Sequence, residues 1–146
     1  MKYITSNNLC LSSWITKARL LIEYKGDVNG HDNFSGNVPI HYAIDFDNMK
    51  LLKFLIEKGA SIDIKAFDGT NALMHAVKLN PLTIVKILLE NGADPNEKVN
   101  HGLTPLMIAT QEGKYETAKL LIEHGANIDD HENLFGNVPL HFAHFF

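Results

Sequence analysis

The chain has 146 residues, of which 45% are apolar and 21% are charged, a composition typical of one soluble globular domain. Its net charge of −4 argues against nucleic-acid binding, which needs a basic stripe, and no apolar run reaches the ~18 residues that cross a bilayer. The single cysteine, Cys10, and the polar residues 5–8 in place of a secretory signal predict a cytoplasmic protein and leave delivery into a host cell open.

The first predicted element is an incomplete unit at the N-terminus. The stretch ITKARLLIEYKGDVN, residues 15–29, has the pattern of a helix followed by a turn. The segment before it, ITSNNLCLSS, is polar and predicts at most a weak helix. We therefore assign residues 1–32 to a degenerate first unit, as expected of a terminal repeat that has solvent on one side.

Two families of short strings then alternate along the chain. The strings PIHYA, ALMHA, PLMIA and PLHFA each follow a glycine, and these glycines are spaced by 33, 33 and 34 residues: Gly36, Gly69, Gly102 and Gly136. Between them lie FLIEKGASID, ILLENGADPN and LLIEHGANID, which match residues 20–29. A fixed period of this length indicates a repeat array.

Within each period the pattern predicts two helices. In the third unit Leu73, Ala76 and Val77 lie three and four residues apart, which marks one helix face. The stretch IVKILL, residues 84–89, is apolar on more than one side and predicts a second helix enclosed between neighbours. The pair Asn80-Pro81 separates the two helices, and Asn91-Gly92 suits a left-handed end to the second. In the fourth unit Thr104-Pro105 predicts a capped helix start.

The TPLH-like helix starts, the GADVN-like turns and the period of 33 together resemble the ankyrin repeat over residues ~14–146. The resemblance implies an all-α ankyrin-repeat solenoid, with stacked helix-turn-helix units and projecting hairpin-like loops. On this basis residues 1–146 form a single domain, with repeats at 33–65, 66–98 and 99–131 and a truncated repeat at 132–146.

The chain departs from the family pattern at the helix starts. The Thr and His that commonly bond to each other in this family do not occur together: His41 and His141 follow Val38 and Val138. Asn71 can still cap its helix, whereas the valines cannot, and a lost cap costs about 1 kcal/mol. We therefore expect a solenoid less stable than an idealised one. The last unit has only the start of a first helix, from which we hypothesise that the chain was shortened from a longer array.

The residues give no sign of catalysis or metal chemistry. The eight histidines occupy motif positions, helix ends and loops, and no third ligand accompanies His141 and His144 on their helix face. No phosphate-binding glycine motif is present, and no Ser, Thr or Cys has the setting of a nucleophile. We therefore predict no enzyme, no metal, no cofactor and no small-molecule substrate.

The resemblance also implies where a partner protein would bind, because ankyrin proteins use their loop tips and the exposed face of each first helix as a concave surface. In the second unit the matching positions are Phe34, Tyr42, Asp45 and Phe46. In the third unit they are Phe67, Asp68, His75, Lys78 and Leu79. In the fourth unit they are His101, Leu103, Ile108, Gln111 and Glu112.

Six of these residues are apolar where solvent is expected: Tyr42, Phe46, Phe67, Leu79, Leu103 and Ile108. Exposed apolar and aromatic side chains often mark an interface. Alternatively, Tyr42 and Phe46 pack beneath the adjacent loop.

We predict an interaction module or adaptor that binds another protein. The alternatives are a decayed or truncated fragment without a function of its own and, more weakly, a spacer in a larger chain. The turn asparagines Asn29 and Asn96 match a position that is hydroxylated in some ankyrin proteins, and the sequence does not show whether either is modified.

Overall fold

The structure, a computed structural model, describes residues 16, 20, 22, 24, 26–79, 81–99 and 102–130. Six α-helices lie wholly within these residues: α1 Pro39–Asp45, α2 Met49–Glu57, α3 Ala72–Leu79, α4 Leu82–Glu90, α5 Pro105–Gln111 and α6 Tyr115–Glu123. No β-strand occurs among the described residues, and none of their helices has the length and apolarity to cross a membrane. The weak N-terminal helix and the truncated last unit, both predicted above, lie outside the described residues.

The helices pack in pairs, and the pairs stack. The helices α1 and α2, α3 and α4, and α5 and α6 pack against each other within each unit. Between units α1 packs on α3, α3 packs on α5, and α4 packs on α6. Helices of seven to nine residues are too short to be stable alone in water, so this packing is what holds them. The predicted all-α solenoid of helix-turn-helix units is confirmed.

The core runs through the stack without interruption. The first helices approach closely at Ala43, Ala76 and Ala109, which are fully buried as their small size predicts. The second helices contribute large buried side chains such as Leu52 and Leu88. Burial of one such leucine stabilises the fold by about 1.5–3 kcal/mol, and each contact ties one unit to its neighbours.

The first helices begin in three different ways. The Asn71 Oδ1 accepts from the Met74 backbone N–H at 3.0 Å, and the Thr104 Oγ1 accepts from the Met107 N–H at 3.3 Å. Both predicted caps are thus confirmed. At α1 the Val38 side chain has no acceptor, and His41 bonds in the opposite direction: its Nδ1 accepts from the Val38 N–H at 3.1 Å. The motif histidine therefore satisfies a backbone donor even without its usual threonine.

The breaks between helices follow the sequence signals. The helix α3 ends at Leu79 and α4 begins at Leu82, on either side of the Asn80-Pro81 pair. After α4, Gly92 has a φ of +93°, the left-handed conformation that a glycine adopts without a steric penalty. The chain reverses there, and the Ala93 N–H donates to the Leu88 carbonyl at 3.0 Å.

Candidate partner-binding surface

The loops that precede the first helices lie side by side. The Phe67 N–H donates to the Ser35 carbonyl at 2.9 Å, which joins the loop before α1 to the loop before α3. Lys65 forms an ion pair with Glu97, and the Lys98 Nζ lies 2.8 Å from the Asp130 Oδ1. These contacts between neighbouring units align the loop tips in one row and pair two of its lysines with carboxylates.

Asp32 organises the loop of the second unit. Its carboxylate accepts from the Phe34 N–H at 2.7 Å, from the Ser35 N–H at 2.7 Å, from the Asn37 N–H at 2.9 Å and from the Tyr42 hydroxyl at 2.7 Å. The Ser35 hydroxyl donates to it as well, and these bonds hold the pKa of the Asp32 carboxyl well below its usual range. Asp32 was not predicted from the sequence as part of this surface, although an Asp side chain that bonds the backbone two residues further on is a common turn former.

Two phenylalanines project from the loop tips. The Phe34 side chain is 97% exposed and Phe67 is 69% exposed. The Phe67 ring lies over Gly36: a Cβ at Gly36 would meet the Phe67 Cδ1 at 2.3 Å. Because the Asp32 bonds fix one tip and the Ser35–Phe67 bond fixes the other to it, the two exposed rings are held on ordered backbone.

Tyr42 and Phe46 occupy the α1 side of this surface and are half-buried. Their rings stack with centroids 6.4 Å apart, and the Tyr42 hydroxyl donates to Asp32 beneath the loop. Burial and then the Asp32 carboxylate raise the pKa of Tyr42. Tyr42 is thus bonded to the adjacent loop, as the alternative raised from the sequence has it, whereas Phe46 stacks on the Tyr42 ring.

A polar network connects the second and third units. The Asp45 Oδ1 lies 3.0 Å from the His75 Nδ1, and the Thr70 Oγ1 lies 2.9 Å from the His75 Nε2. The Thr70 hydroxyl donates to Asp68, so toward His75 it can only accept, as Asp45 does. Asp45 and Thr70 therefore present acceptors to the two ring nitrogens of His75. The contact between Asp45 and His75 thus joins two units, and Asp68 supports it through Thr70.

His41 lies directly behind this network. It is fully buried, and its ring stacks on His75 with centroids 4.8 Å apart. Burial first, and the neighbouring His75 second, lower the pKa of His41 from its ordinary value of 6.5 to about 4. The pKa of the Asp68 carboxyl is also lowered. Burial alone would raise it, but the hydrogen bonds from Thr70 and the charge of His75 outweigh burial.

The surface continues over the C-terminal ends of α3 and α5. Leu79 is 55% exposed, and Lys78, Gln111 and Glu112 are exposed beside it. The Lys114 ammonium donates to the Val77 carbonyl at 2.7 Å and to the Lys78 carbonyl, so a cation of one unit caps the helix of the unit before it.

The fourth unit contains one wrong expectation. Ile108 was predicted to face solvent, but it is 5% exposed and belongs to the core. It fails as a contact residue because α5 packs on α3, and that packing covers its side chain. Leu103 is half-buried, and His101 lies outside the described residues.

The turn asparagines also join successive units. The Asn29 Oδ1 accepts from the Ser61 N–H at 2.8 Å, and the Asn96 Oδ1 accepts from the Asn127 N–H at 2.7 Å.

Among the described residues, no group of three His, Cys, Asp or Glu side chains is arranged to hold a metal ion.

Comparison with known proteins gives two findings. The model of the family described as ankyrin repeats (3 copies) matches residues 9–99, and the single ankyrin repeat model matches residues 101–133. The chain is also similar to the I-Kappa-B like protein G2 of Microplitis demolitor bracovirus (isolate Webb), with 39% identity over 44 residues. This match covers 30% of the present chain and 26% of that relative.

Proposed function

Because this chain belongs to the ankyrin repeat family, we propose that it is a protein-interaction module that binds its partner through the loop tips and the exposed face of the first helices. Ankyrin repeats generally mediate protein–protein interaction, and proteins built from them are typically non-enzymatic binding modules. The proposal includes the absence of a catalytic activity. It also includes the division into units 33–65, 66–98 and 99–131, each of which contains one helix pair.

The observation that carries the proposal is the pair of exposed phenylalanines on ordered loop tips. Rigid aromatic side chains supply much of the binding energy at protein interfaces, because they bury a large area at a small cost in conformational entropy. Phe34 and Phe67 have this character, and Leu79 extends the apolar area onto α3. The exposed rings favour a partner that presents an apolar patch, and the ion pairs Lys65–Glu97 and Lys98–Asp130 hold neighbouring loops of the row together.

The similarity to an I-Kappa-B like protein supports a protein partner without naming it. A cytoplasmic location stays a prediction from the single cysteine and from the lack of a secretory signal or apolar span in the sequence.

The experiment compares proteins captured by the native chain and by the double variant Phe34→Ala/Phe67→Ala. Both side chains are mostly exposed, so the double variant should keep the melting temperature within a few degrees. A matched control is Lys50→Ala, an exposed residue on α2 away from the loop tips. We expect a partner whose affinity falls at least about tenfold in the double variant and is unchanged in the control. Equal capture by all three proteins would refute the assigned surface, and no reproducible partner for the native chain would favour the fragment alternative.

A further inference from the structure

The start of α1 depends on a lone pair of one buried histidine. His41 is the third residue of α1, and its Nδ1 accepts from the Val38 backbone N–H at 3.1 Å. In the common form of this contact a glutamine or glutamate at the same helix position bonds back to the residue before the helix. Because a backbone N–H can only donate, the Nδ1 of His41 carries no proton, and the neutral ring has its proton on Nε2.

Protonation of His41 removes this contact. In the charged ring both nitrogens carry a hydrogen, so the Nδ1–H would face the Val38 N–H as one donor against another. The side chain is fully buried, and among the described residues its Nε2 has no hydrogen-bond partner. A charged ring in this position is poorly solvated, and opening of the first turn of α1 to water relieves that cost.

The charged and titratable groups that face the ring come from three elements. From α3, His75 stacks on it; from α1 itself comes Asp45; and from the segment before α3 come Asp68 and the Ile64 carbonyl. The two carboxylates and the carbonyl favour the charged ring, but burial and His75 outweigh them and lower the pKa of His41 to about 4. The buried side chains that α2 contributes are all apolar: Leu51, Leu52, Phe54 and Leu55.

We propose that His41 is a proton-sensitive cap, which holds the start of α1 and the loop before it while neutral and releases both on protonation. The loop is closed on itself: the Asp32 N–H donates to the Asn37 carbonyl at 2.9 Å, and the Asn37 N–H donates to the Asp32 carboxylate at 2.9 Å. Val38 follows directly in the chain. The loop therefore moves as one body when the bond from Val38 to His41 breaks.

Release of the cap reaches the loop tips through two contacts. Tyr42 follows His41 in the first turn of α1, and its hydroxyl holds Asp32 at 2.7 Å. The Ser35 carbonyl accepts from the Phe67 N–H at 2.9 Å and ties the loop to the next unit. Unwinding of the turn separates both contacts, so acid dismantles the row of loop tips. This consequence for partner binding rests on the proposed function, whereas the cap itself does not.

The first test determines where the proton of His41 lies in the full chain. A long-range ¹H–¹⁵N NMR spectrum of the labelled protein at pH 7 should show an unprotonated Nδ1 and a protonated Nε2. The opposite tautomer, or a charged ring at pH 7, would overturn the proposal. This measurement needs no variant.

Amide hydrogen exchange then tests the release. With a pKa of 6.5 in the open form and about 4 in the closed form, a change from pH 7 to pH 5 should favour opening about twentyfold. We expect the protection factors of the Val38 and Asn37 amides, corrected for the intrinsic exchange rate at each pH, to fall by about this factor. The Ala126 N–H, which donates to the Leu121 carbonyl at 2.9 Å after α6, should change less than about twofold.

The matched control is His41→Gln, which keeps an acceptor at the third helix position and does not titrate. Its Val38 protection should change less than about twofold between pH 7 and pH 5. An equal fall in the native chain and the variant would overturn the proposal. So would an equal fall at Val38 and Ala126 in the native chain, because the whole molecule would then be opening.

Binding is measured separately, with a partner captured by the native chain at pH 7. Its affinity should fall at least about tenfold at pH 5 for the native chain and less than about threefold for His41→Gln. Equal affinities of the native chain at both values of pH would overturn the link between the cap and the loop tips. If the native chain captures no partner, the proposed function fails, and the NMR and exchange results still decide whether His41 is a proton-sensitive cap.

Discussion

Replacement of Gly36 by alanine tests how the loop tips are held. Gly36 has a φ of +70°, and this left-handed conformation costs a residue with a Cβ about 1 kcal/mol. The added Cβ would also lie 2.3 Å from the Phe67 Cδ1 and 2.6 Å from its Cγ, well inside van der Waals contact. Phe67 is mostly exposed, so its ring can leave, and a ring forced from its preferred rotamer costs about 0.5–1.5 kcal/mol. We expect Gly36→Ala to lower the free energy of unfolding by about 2 kcal/mol.

A double-mutant cycle separates the two contributions. In the Phe67→Ala background the clash is absent, so Gly36→Ala should cost only the backbone strain of about 1 kcal/mol. The matched control is Gly59→Ala: Gly59 has a φ of +84°, and no described atom lies within 4 Å of a Cβ built there. It too should cost about 1 kcal/mol.

Urea unfolding followed by the helical circular dichroism signal measures all four free energies of the cycle. The expected coupling between positions 36 and 67 is about 1 kcal/mol. Additivity to within about 0.3–0.5 kcal/mol would refute the reasoning, because it would mean that the Phe67 ring does not rest on Gly36.

Three further predictions follow from the core, the caps and the buried histidine. Leu88→Ala should lower the free energy of unfolding by about 2–5 kcal/mol because Leu88 is fully buried. The control Leu82→Ala, at a 41% exposed position, should lower it by less than about 1 kcal/mol, and equal urea midpoints for the two variants would contradict the packing. Thr104→Ala removes the acceptor of the Met107 N–H and should lower the free energy of unfolding by about 1 kcal/mol. Thr104→Asn should restore most of that loss, and thermal melts of the two variants measure the difference. The pKa of His41 is about 4 in the folded state and 6.5 ordinarily, so the unfolded chain binds more protons than the folded chain between pH 4 and pH 6.5. The free energy of unfolding should therefore be highest above pH 6.5 and fall by up to about 3 kcal/mol toward pH 4. Between pH 6.5 and pH 4 the urea midpoint should fall less for His41→Gln than for the native chain. An equal fall in both proteins would exclude His41 as the cause.

The features that depend on neighbouring residues could be predicted from the sequence. The break at Asn80-Pro81, the caps at Asn71 and Thr104 and the left-handed Gly92 each depend on residues a few positions apart. Such features follow from backbone sterics and hydrogen bonding within one turn, which the order of residues specifies directly. The all-α solenoid follows because every unit repeats the same local signals.

Contacts between units were decided only by the tertiary structure. The Asp45–His75 contact joins residues 30 positions apart, and Lys114 caps carbonyls 36 and 37 positions earlier. The burial of Ile108 has the same origin, since it depends on how α5 lies against α3. Which side chains meet is set by the small rotation and offset between successive helix pairs. That geometry results from packing the whole stack, and the period fixes its spacing along the chain without fixing its angle in space.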